Sequence, residues 1–382
     1  MQIDRILTTQ IKTAVTPGKV VVVYGPRRVG KTTVIKELFS HYGDTARLVN
    51  GDTLPVRRAL SSQDVQELRA FIGSTKILFV DEAQRIENIG INLKIIVDTF
   101  PDVALVVTGS ATLELASTIN EPLTGRTKTF FLYPVSYTEL YTWLGPFESK
   151  QQLSRLMIYG SYPEALVLES DNERKEYLID LVSKYLYRDV LDFAGIKKAK
   201  KIVDLLRLIA FQIGNEVSIA ELSSNLDLDR VTVEKYLDLL EQSFVIYYVG
   251  GLSRNLRKEV VKNGRYYFYD NGVRNALIEN FNDISIRNDI GSLWENFCAI
   301  ERRKYTAYRR KGAHYYFWRT YDQKEIDIIE EGDGVVTGYE CKWSKGVVKR
   351  TTRNEFEKAY QKEHATVQVI TRDNFEPFVG VE

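Results

Sequence analysis

Residues Gly25-Pro26-Arg27-Arg28-Val29-Gly30-Lys31-Thr32, followed by Thr33, have the composition of a phosphate cradle. They fit the pattern G-x-x-x-x-G-K-[ST], and each residue type has a physical job there. Glycines let backbone N–H groups approach a triphosphate, the lysine ammonium offsets β- and γ-phosphate charge, and the threonine hydroxyl is a ligand for Mg²⁺. The apolar run Lys19–Tyr24 (KVVVVY) precedes the loop and a helical stretch (TTVIKELFSHY) follows, so a bound anion meets a helix N-terminus. Gly25 through Thr33 are therefore the expected ATP-binding set, with Lys31 on the phosphates and Thr32 on the magnesium.

About 50 residues further on, the apolar run Ile77-Leu78-Phe79-Val80 ends in Asp81-Glu82. Asp81 is expected to hold the Mg²⁺, directly or through water, and Glu82 to polarise the attacking water as general base. An acidic pair at a strand end is by itself only the start of a solvated loop. Its spacing from Lys31 within a strand–helix alternation is what gives it weight. The next apolar run ends Val107-Thr108-Gly109-Ser110, where a hydroxyl can reach the γ-phosphate or the lytic water; Ser110 is preferred over Thr108 for that role.

A second set of chemistry-bearing residues lies near the C-terminus. In Glu340-Cys341-Lys342 strand alternation puts Glu340 and Lys342 on one face and Cys341 on the other. Asp327 sits on the preceding strand and Glu295 on the helix before it. Two carboxylates, Asp327 and Glu340, suit a divalent cation beside a scissile phosphate, with Lys342 orienting water. The competing reading is an exposed ion pair on an edge strand. Arg302-Arg303-Lys304, Arg309-Arg310-Lys311, Lys345, Lys349, Arg350 and Arg353 offer phosphate contacts, and Trp343 and Tyr339 are candidates to pack on sugar or base.

The elements that must position these residues follow from periodicity. Runs at Lys19–Tyr24, Ala46–Asn50, Lys76–Val80, Val103–Thr108 and Lys128–Leu132 alternate with helical stretches, the mark of a parallel sheet with crossover helices. Residues from about 136 to 213 are mostly helical. Then come helix, turn, helix and the strands FVIYYV and RYYFY, a pattern that suits a winged helix. In its second helix, Asp229–Gln242, the apolar face is expected to include Val231, Val233, Tyr236, Leu237, Leu239 and Leu240, leaving Arg230, Thr232 and Lys235 for solvent or phosphate. Arg254, Arg257, Lys258 and Lys262 form a candidate basic wing. DNA contact and protein packing are both open for this module. The last 90 residues read as a helix (Ser292–Tyr308), three strands (His314–Arg319, Glu325–Glu330, Val335–Lys342), a helix around Asn354–Glu363 and a strand (Thr366–Thr371).

Composition excludes several classes. The 382 residues carry 52 Lys+Arg against 51 Asp+Glu, so any basic surface is local. Two cysteines and three histidines argue against a disulfide scaffold or a zinc cluster. No apolar run approaches a membrane span and the N-terminus lacks a signal-peptide pattern, so a cytoplasmic protein without membrane contact is expected.

GPRRVGKT, ILFVDEAQR, VVTGSAT and LTGRTKTFFLYPVSYTEL together resemble the AAA-type ATPases of bacteria and archaea that carry a C-terminal domain of unknown function. The resemblance covers essentially the whole chain. It implies ATP and Mg²⁺ as cofactors, the capacity to form homo-oligomers, and an arginine after the fourth strand that senses the γ-phosphate within its own chain or from a neighbour; Arg126 is the matching position. The C-terminal part resembles the PD-(D/E)xK nuclease fold, mapping Asp327, Glu340 and Lys342 onto its site with Glu295 as a candidate helix carboxylate, although Ile326 replaces the proline. DNA is the candidate partner. The expected architecture is α/β: an ATPase core with a parallel sheet (1–135), a helical lid (136–198), a winged-helix module (199–272) and a small α/β nuclease-like domain (285–382).

Overall fold

The structure is a computed structural model and describes residues 3–109, 123–185, 199–253 and 263–381. Ser110 and the basic residues Arg254, Arg257, Lys258 and Lys262 lie outside them. The chain folds as two compact units: Met1–Val135 with Gln242–Phe244, and Ser136–Glu241 with Val245–Glu382.

The first unit holds a five-stranded parallel sheet: β1 (Val20–Tyr24), β2 (Ala46–Asn50), β3 (Ile77–Asp81), β4 (Ala104–Gly109) and β5 (Thr127–Phe131), ordered β2-β3-β4-β1-β5. β1 and β4 are buried along their whole length, as strands of branched residues are when helices cover both faces. Those helices are α1 (Ile6–Ala14), α2 (Lys31–Tyr42), α3 (Leu54–Leu60), α4 (Val65–Ile72) and α5 (Ile89–Thr99). α1 buries Leu7, Ile11 and Ala14, one stripe at helical spacing. α4 starts where the Asp64 side chain accepts from the N–H groups of Gln66 and Glu67. The order places the loop after β1 mid-sheet, beside the ends of β4 and β5.

The second unit begins with helices α6 (Tyr137–Leu144), α7 (Pro146–Tyr159), α8 (Pro163–Val167), α9 (Asp171–Tyr185) and α10 (Ala199–Phe211). Strand β6 (Glu216–Val217), helices α11 (Ile219–Leu226) and α12 (Arg230–Gln242), and strands β7 (Ile246–Gly251) and β8 (Gly264–Phe268) follow. After α13 (Asn271–Leu277) and α14 (Ile290–Tyr308) come β9 (His314–Arg319), β10 (Glu325–Gly332), β11 (Val335–Cys341), α15 (Arg350–Ala359), β12 (Thr366–Ile370) and α16 (Phe375–Phe378). The strands make one seven-stranded sheet, β12-β11-β10-β9-β7-β8-β6. β9, β10 and β11 are antiparallel neighbours and β12 runs parallel to β11. The two halves join through a short parallel pairing, Gly250 with Tyr316 and Gly251 with Phe317.

Two helices differ from expectation. Val231 is 73% exposed, because the buried stripe of α12 is set by Val233, Tyr236, Leu237 and Leu240, and a residue two positions before Val233 points away from it. α15 begins at Arg350 rather than near Asn354, since Thr352 and Phe356, one helical turn apart, are its buried residues.

A buried polar hub around α13 ties the second unit together. Asp270 caps α13 by accepting from Val273 N (3.1 Å) and also accepts from Ser161 N (2.7 Å). Asn275 donates to the carbonyls of Met157 (3.1 Å) and Ile158 (2.8 Å) at the end of α7. Arg274 donates to Ala210 O (2.9 Å) on α10, and Asn296 on α14 bonds both Phe268 N and Phe268 O. A Cβ at position 272 would lie 2.2 Å from Tyr159 O, so only glycine allows this approach. Satisfied networks of this kind select one packing over its competitors, because leaving any member unpaired costs about 1–3 kcal/mol.

Candidate functional site

The loop after β1 is shaped by its glycines and filled by its lysine. Gly25 has φ +155°, and a Cβ there would sit 2.2 Å from Leu132 O at the end of β5. Lys31, 6% exposed, donates to Gly25 O (2.8 Å) and Pro26 O (2.7 Å), so its ammonium lies inside the loop. Gly30 precedes α2 in a left-handed conformation, and the N-terminal amides of α2 face the loop mouth.

β3 brings the acids to that loop. Thr32 donates its hydroxyl to Asp81 Oδ2 (2.7 Å), and Thr108 on β4 donates to Asp81 Oδ1 (2.5 Å). Thr108 also accepts from Glu82 N (3.2 Å), so one buried hydroxyl fixes both acids. Glu82 sits in the left-handed region (φ +53°), a cost typical of functional strand ends, and Gln84 Nε2 donates to Glu82 Oε2 (2.5 Å). The close pairing of a hydroxyl and a carboxylate oxygen gives hard donors of the type Mg²⁺ takes, so the residues present fit the ion.

Arg126 is elsewhere. Val20 pairs with Thr127 and Tyr24 with Phe131, so Arg126 stands at the N-terminal end of β5, roughly 16 Å of strand from the loop edge. It ion-pairs with Asp98 there. The expectation that Arg126 senses phosphate within its own chain is corrected: the fold puts it at the wrong end of the sheet.

In the second unit, Glu295, Asp327, Glu340 and Lys342 are within electrostatic reach of one another, each met by a partner. Glu295 Oε1 accepts from Arg265 Nη1 (3.1 Å) and from the Tyr267 hydroxyl (2.6 Å). Asp327, in the stretch where the β9–β10 register shifts between Ile326 and Ile329, accepts on Oδ2 from Cys341 N (2.7 Å) of β11. Glu340 Oε1 pairs with Lys342 Nζ (2.8 Å), while Glu340 Oε2 is buried with no hydrogen-bond partner. Burial, reinforced by the Glu295 and Glu340 charges, pushes the Asp327 carboxyl well above the usual range. Burial also raises Glu295, against the pull of Arg265 and Tyr267. For Lys342, burial works against the ammonium, but the Glu340 hydrogen bond and the Asp327 and Glu340 charges raise its pKa on balance. Among the described residues no three His, Cys, Asp or Glu side chains gather closely enough to hold a metal ion. The residues present therefore fit a two-carboxylate site at most.

The expected basic surface divides. Arg302 is bound to Glu330, donates to Phe378 O and lies over the rings of Tyr305, Tyr339 and Phe378. Lys304, 1% exposed, pairs with Glu301 (2.6 Å) and donates to Ser161 Oγ (3.1 Å). Arg303 stacks over Tyr247, and Tyr339 is buried. These residues serve the interior, which corrects their assignment to phosphate, sugar or base. Trp343 is half-buried, edge-on to Trp294 with Arg372 over its ring. Lys345, Lys349 and Arg350 are exposed, in a stretch (342–354) with no acidic residue. The exposed charges of α12 are mixed: Arg230 and Lys235 against Glu234 and Asp238.

Sequence reasoning missed Arg5, Gln84, Arg265 and the Asp270 hub. Thr108, named there as the alternative to Ser110, bonds Asp81 and the Glu82 backbone because it ends the strand next to β3. A lone arginine 20 residues before the loop carries no signal.

Comparison with known proteins finds three matched regions. An AAA domain is matched over residues 17–141, and domains of unknown function over 150–284 (DUF8612) and 290–380 (DUF4143). An uncharacterized protein of Methanocaldococcus jannaschii is 23% identical over 348 residues, covering 86% of this chain and 76% of its own. One of Mycobacterium tuberculosis is 24% identical over 342 residues, covering 87% and 72%. Among solved structures, the Thermotoga maritima RuvB Holliday junction branch migration motor shares 17% identity over 64% of this chain and 89% of its own, with a TM-score of 0.31. Pif1 helicase from Candida albicans shares 15% over 47% and 54%, with a TM-score of 0.27. The matched domains give the chain an AAA-type P-loop ATPase-like domain followed by two regions that match domains of unknown function. No helix among the described residues is long and apolar enough to cross a membrane.

Proposed function

We propose that this protein is a Mg²⁺-dependent ATPase whose second unit contains a winged-helix module and a nuclease-like fold that binds nucleic acid. The observation that carries the ATPase reading is the 2.7 Å contact of Thr32 Oγ1 with Asp81 Oδ2 beside the buried ammonium of Lys31.

The work divides among named residues. Lys31 exchanges its two loop carbonyls for β- and γ-phosphate oxygens, and the first amides of α2 receive the same anion. Thr32 and Asp81 would hold Mg²⁺, which when bound offsets phosphate charge and orients the β- and γ-oxygens. Thr108 keeps Asp81 aimed and fixes the Glu82 backbone. Glu82, steadied by Gln84, takes the proton of the water whose oxygen attacks the γ-phosphorus, while the β–γ bridging oxygen leaves with ADP. Phosphate release by wild type and Glu82→Gln tests this. The variant is expected to retain ATP and stop turning over, and wild-type turnover in it would sink the assignment.

Two features support the second unit's reading. Helix–strand–helix–helix–strand–strand with order β6-β8-β7 suits a winged helix, and helix, three antiparallel strands, helix and a parallel strand suit the PD-(D/E)xK fold. The exposed basic stretch 342–354 adjoins Glu340 and is better suited to a phosphate backbone than the mixed charges of α12. Plasmid nicking with Mg²⁺ or Mn²⁺, with and without ATP, compared between wild type and Asp327→Ala, tests cleavage. A second reading, an ATP-driven switch with an inactive nuclease fold, is favoured by the pairing of Glu295 and Glu340 with cations of their own chain. In an assembled homo-oligomer, Arg126 would act only on a neighbour's nucleotide.

A further inference from the structure

Arg5 stands just before α1, is 7% exposed, and uses two guanidinium nitrogens on two different loops. Nη1 donates to Val29 O (2.6 Å) within the phosphate loop, and Nη2 donates to Tyr133 O (2.6 Å) just past β5. Val29 O belongs to the residue before Gly30, and a Cβ on Gly30 would be 3.6 Å from Arg5 Nη1. The cation therefore lies directly against the loop whose amides are to receive phosphate.

This contact has two physical effects. A phosphate loop turns its N–H groups toward the anion, which leaves carbonyls facing outward in need of donors. Lys31 serves Gly25 O and Pro26 O only while it is not engaged with phosphate, whereas Arg5 reaches Val29 O from outside the loop and can hold it through the whole cycle. A guanidinium is also a permanent cation, and one held in a poorly solvated layer beside the loop adds to the field that attracts a polyphosphate.

We infer that Arg5 is a positioning residue for the nucleotide site, holding the phosphate loop open-handed for di- and triphosphates through Val29 while clamping it to the end of β5. This rests on the ATPase reading. It gives a role to a residue outside every motif of that reading, and it makes the N-terminal segment part of the site.

The test is fluorescence titration with MANT-ATP and MANT-ADP, and competition by adenosine, on full-length wild type, Arg5→Ala and Arg5→Lys, with Lys31→Ala as reference. Arg5→Ala is expected to weaken ATP and ADP about 10-fold or more, leave adenosine within about 2-fold, and be partly rescued by Arg5→Lys, which keeps the charge but lacks the fork that reaches both carbonyls. A merely structural role would weaken all three ligands alike, or spare all three, and either result overturns the inference. If Arg5→Ala does not fold, Arg5→Lys alone decides, because its loss must be larger for ATP and ADP than for adenosine. Wild type that fails to bind MANT-ATP, or that binds it no better than Lys31→Ala does, refutes the ATPase reading and Arg5's role with it. Tight wild-type binding with unchanged Arg5→Ala refutes Arg5 alone.

Discussion

The two acid-bearing sites of this chain solve the same electrostatic problem in opposite ways. In the first unit, both oxygens of Asp81 face hydroxyls, Thr32 on one side and Thr108 on the other. Hydroxyls satisfy hydrogen bonding without cancelling charge, so the carboxylate keeps its attraction for a cation. In the second unit, Glu295 faces Arg265, Glu340 faces Lys342, and Asp327 is pushed toward its neutral form by burial and by those two acids. There the negative charge is already balanced within the chain. The first arrangement leaves its carboxylate charge uncancelled, whereas the second sets cations of its own chain against two of its acids and leaves Glu340 Oε2 buried without a hydrogen-bond partner.

The largest expected effects break this comparison at the first site. Lys31→Ala should abolish nucleotide binding, and Glu82→Gln should lower turnover by about 10²–10⁴ while ATP stays bound, both read by filter binding and phosphate release. At the second site, Asp327→Ala should eliminate any divalent-dependent nicking of plasmid DNA; nicking that survives in the variant would assign the cleavage to other residues. Arg265→Ala should cost about 3–5 kcal/mol in chemical denaturation, because it leaves Glu295 buried beside Glu325 without its cation. A loss under about 1 kcal/mol would mean that the charge balance described here is illusory.

Smaller effects sharpen the picture. Asp270 is pushed up to about 6 by burial, from an ordinary value of 3.8. A carboxyl whose folded pKa is raised favours folding while protonated. Its contribution is therefore full below about pH 4 and is lost as pH rises through about 6, a change of roughly 3 kcal/mol at most. Wild type should lose stability over that window relative to Asp270→Asn, as followed by urea denaturation at several pH values; parallel pH profiles would contradict it. Finally, Lys345→Glu with Lys349→Glu should lower DNA affinity and reduce the salt slope by about 2, with little dependence on sequence.

The parallel sheet was legible because its central strands β1, β3 and β4 are buried on both faces and read as apolar runs, while the half-exposed edge strands β2 and β5 followed from the alternation with helices; all five bounds fall within a residue of those observed. The phosphate loop and Asp81-Glu82 were legible because their chemistry is local in sequence. What escaped was long-range pairing. Asn271, Arg274 and Asn275 look like a polar turn until α7, α10 and α14 surround them. Arg302 and Lys304 look like phosphate ligands because a charge run does not reveal which of its members has an acid waiting inside. Val231 was misplaced because the amphipathic stripe of a short helix is fixed only by the neighbour that covers it.

The short parallel pairing of Gly250–Gly251 with Tyr316–Phe317 has a practical consequence for anyone cutting this chain into pieces. A fragment starting near residue 285 would carry Glu295 without Arg265 and present β9 as a raw sheet edge, open to pairing with other copies. A fragment ending near residue 272 would lack α14, whose Asn296 holds both backbone groups of Phe268, and would leave β7 as the exposed edge. Neither piece is a natural unit of expression. Keeping the whole sheet needs residues from Glu216 onward, but keeping the Asp270 hub, which draws on Met157, Ile158 and Ser161, needs the helices from Ser136 as well.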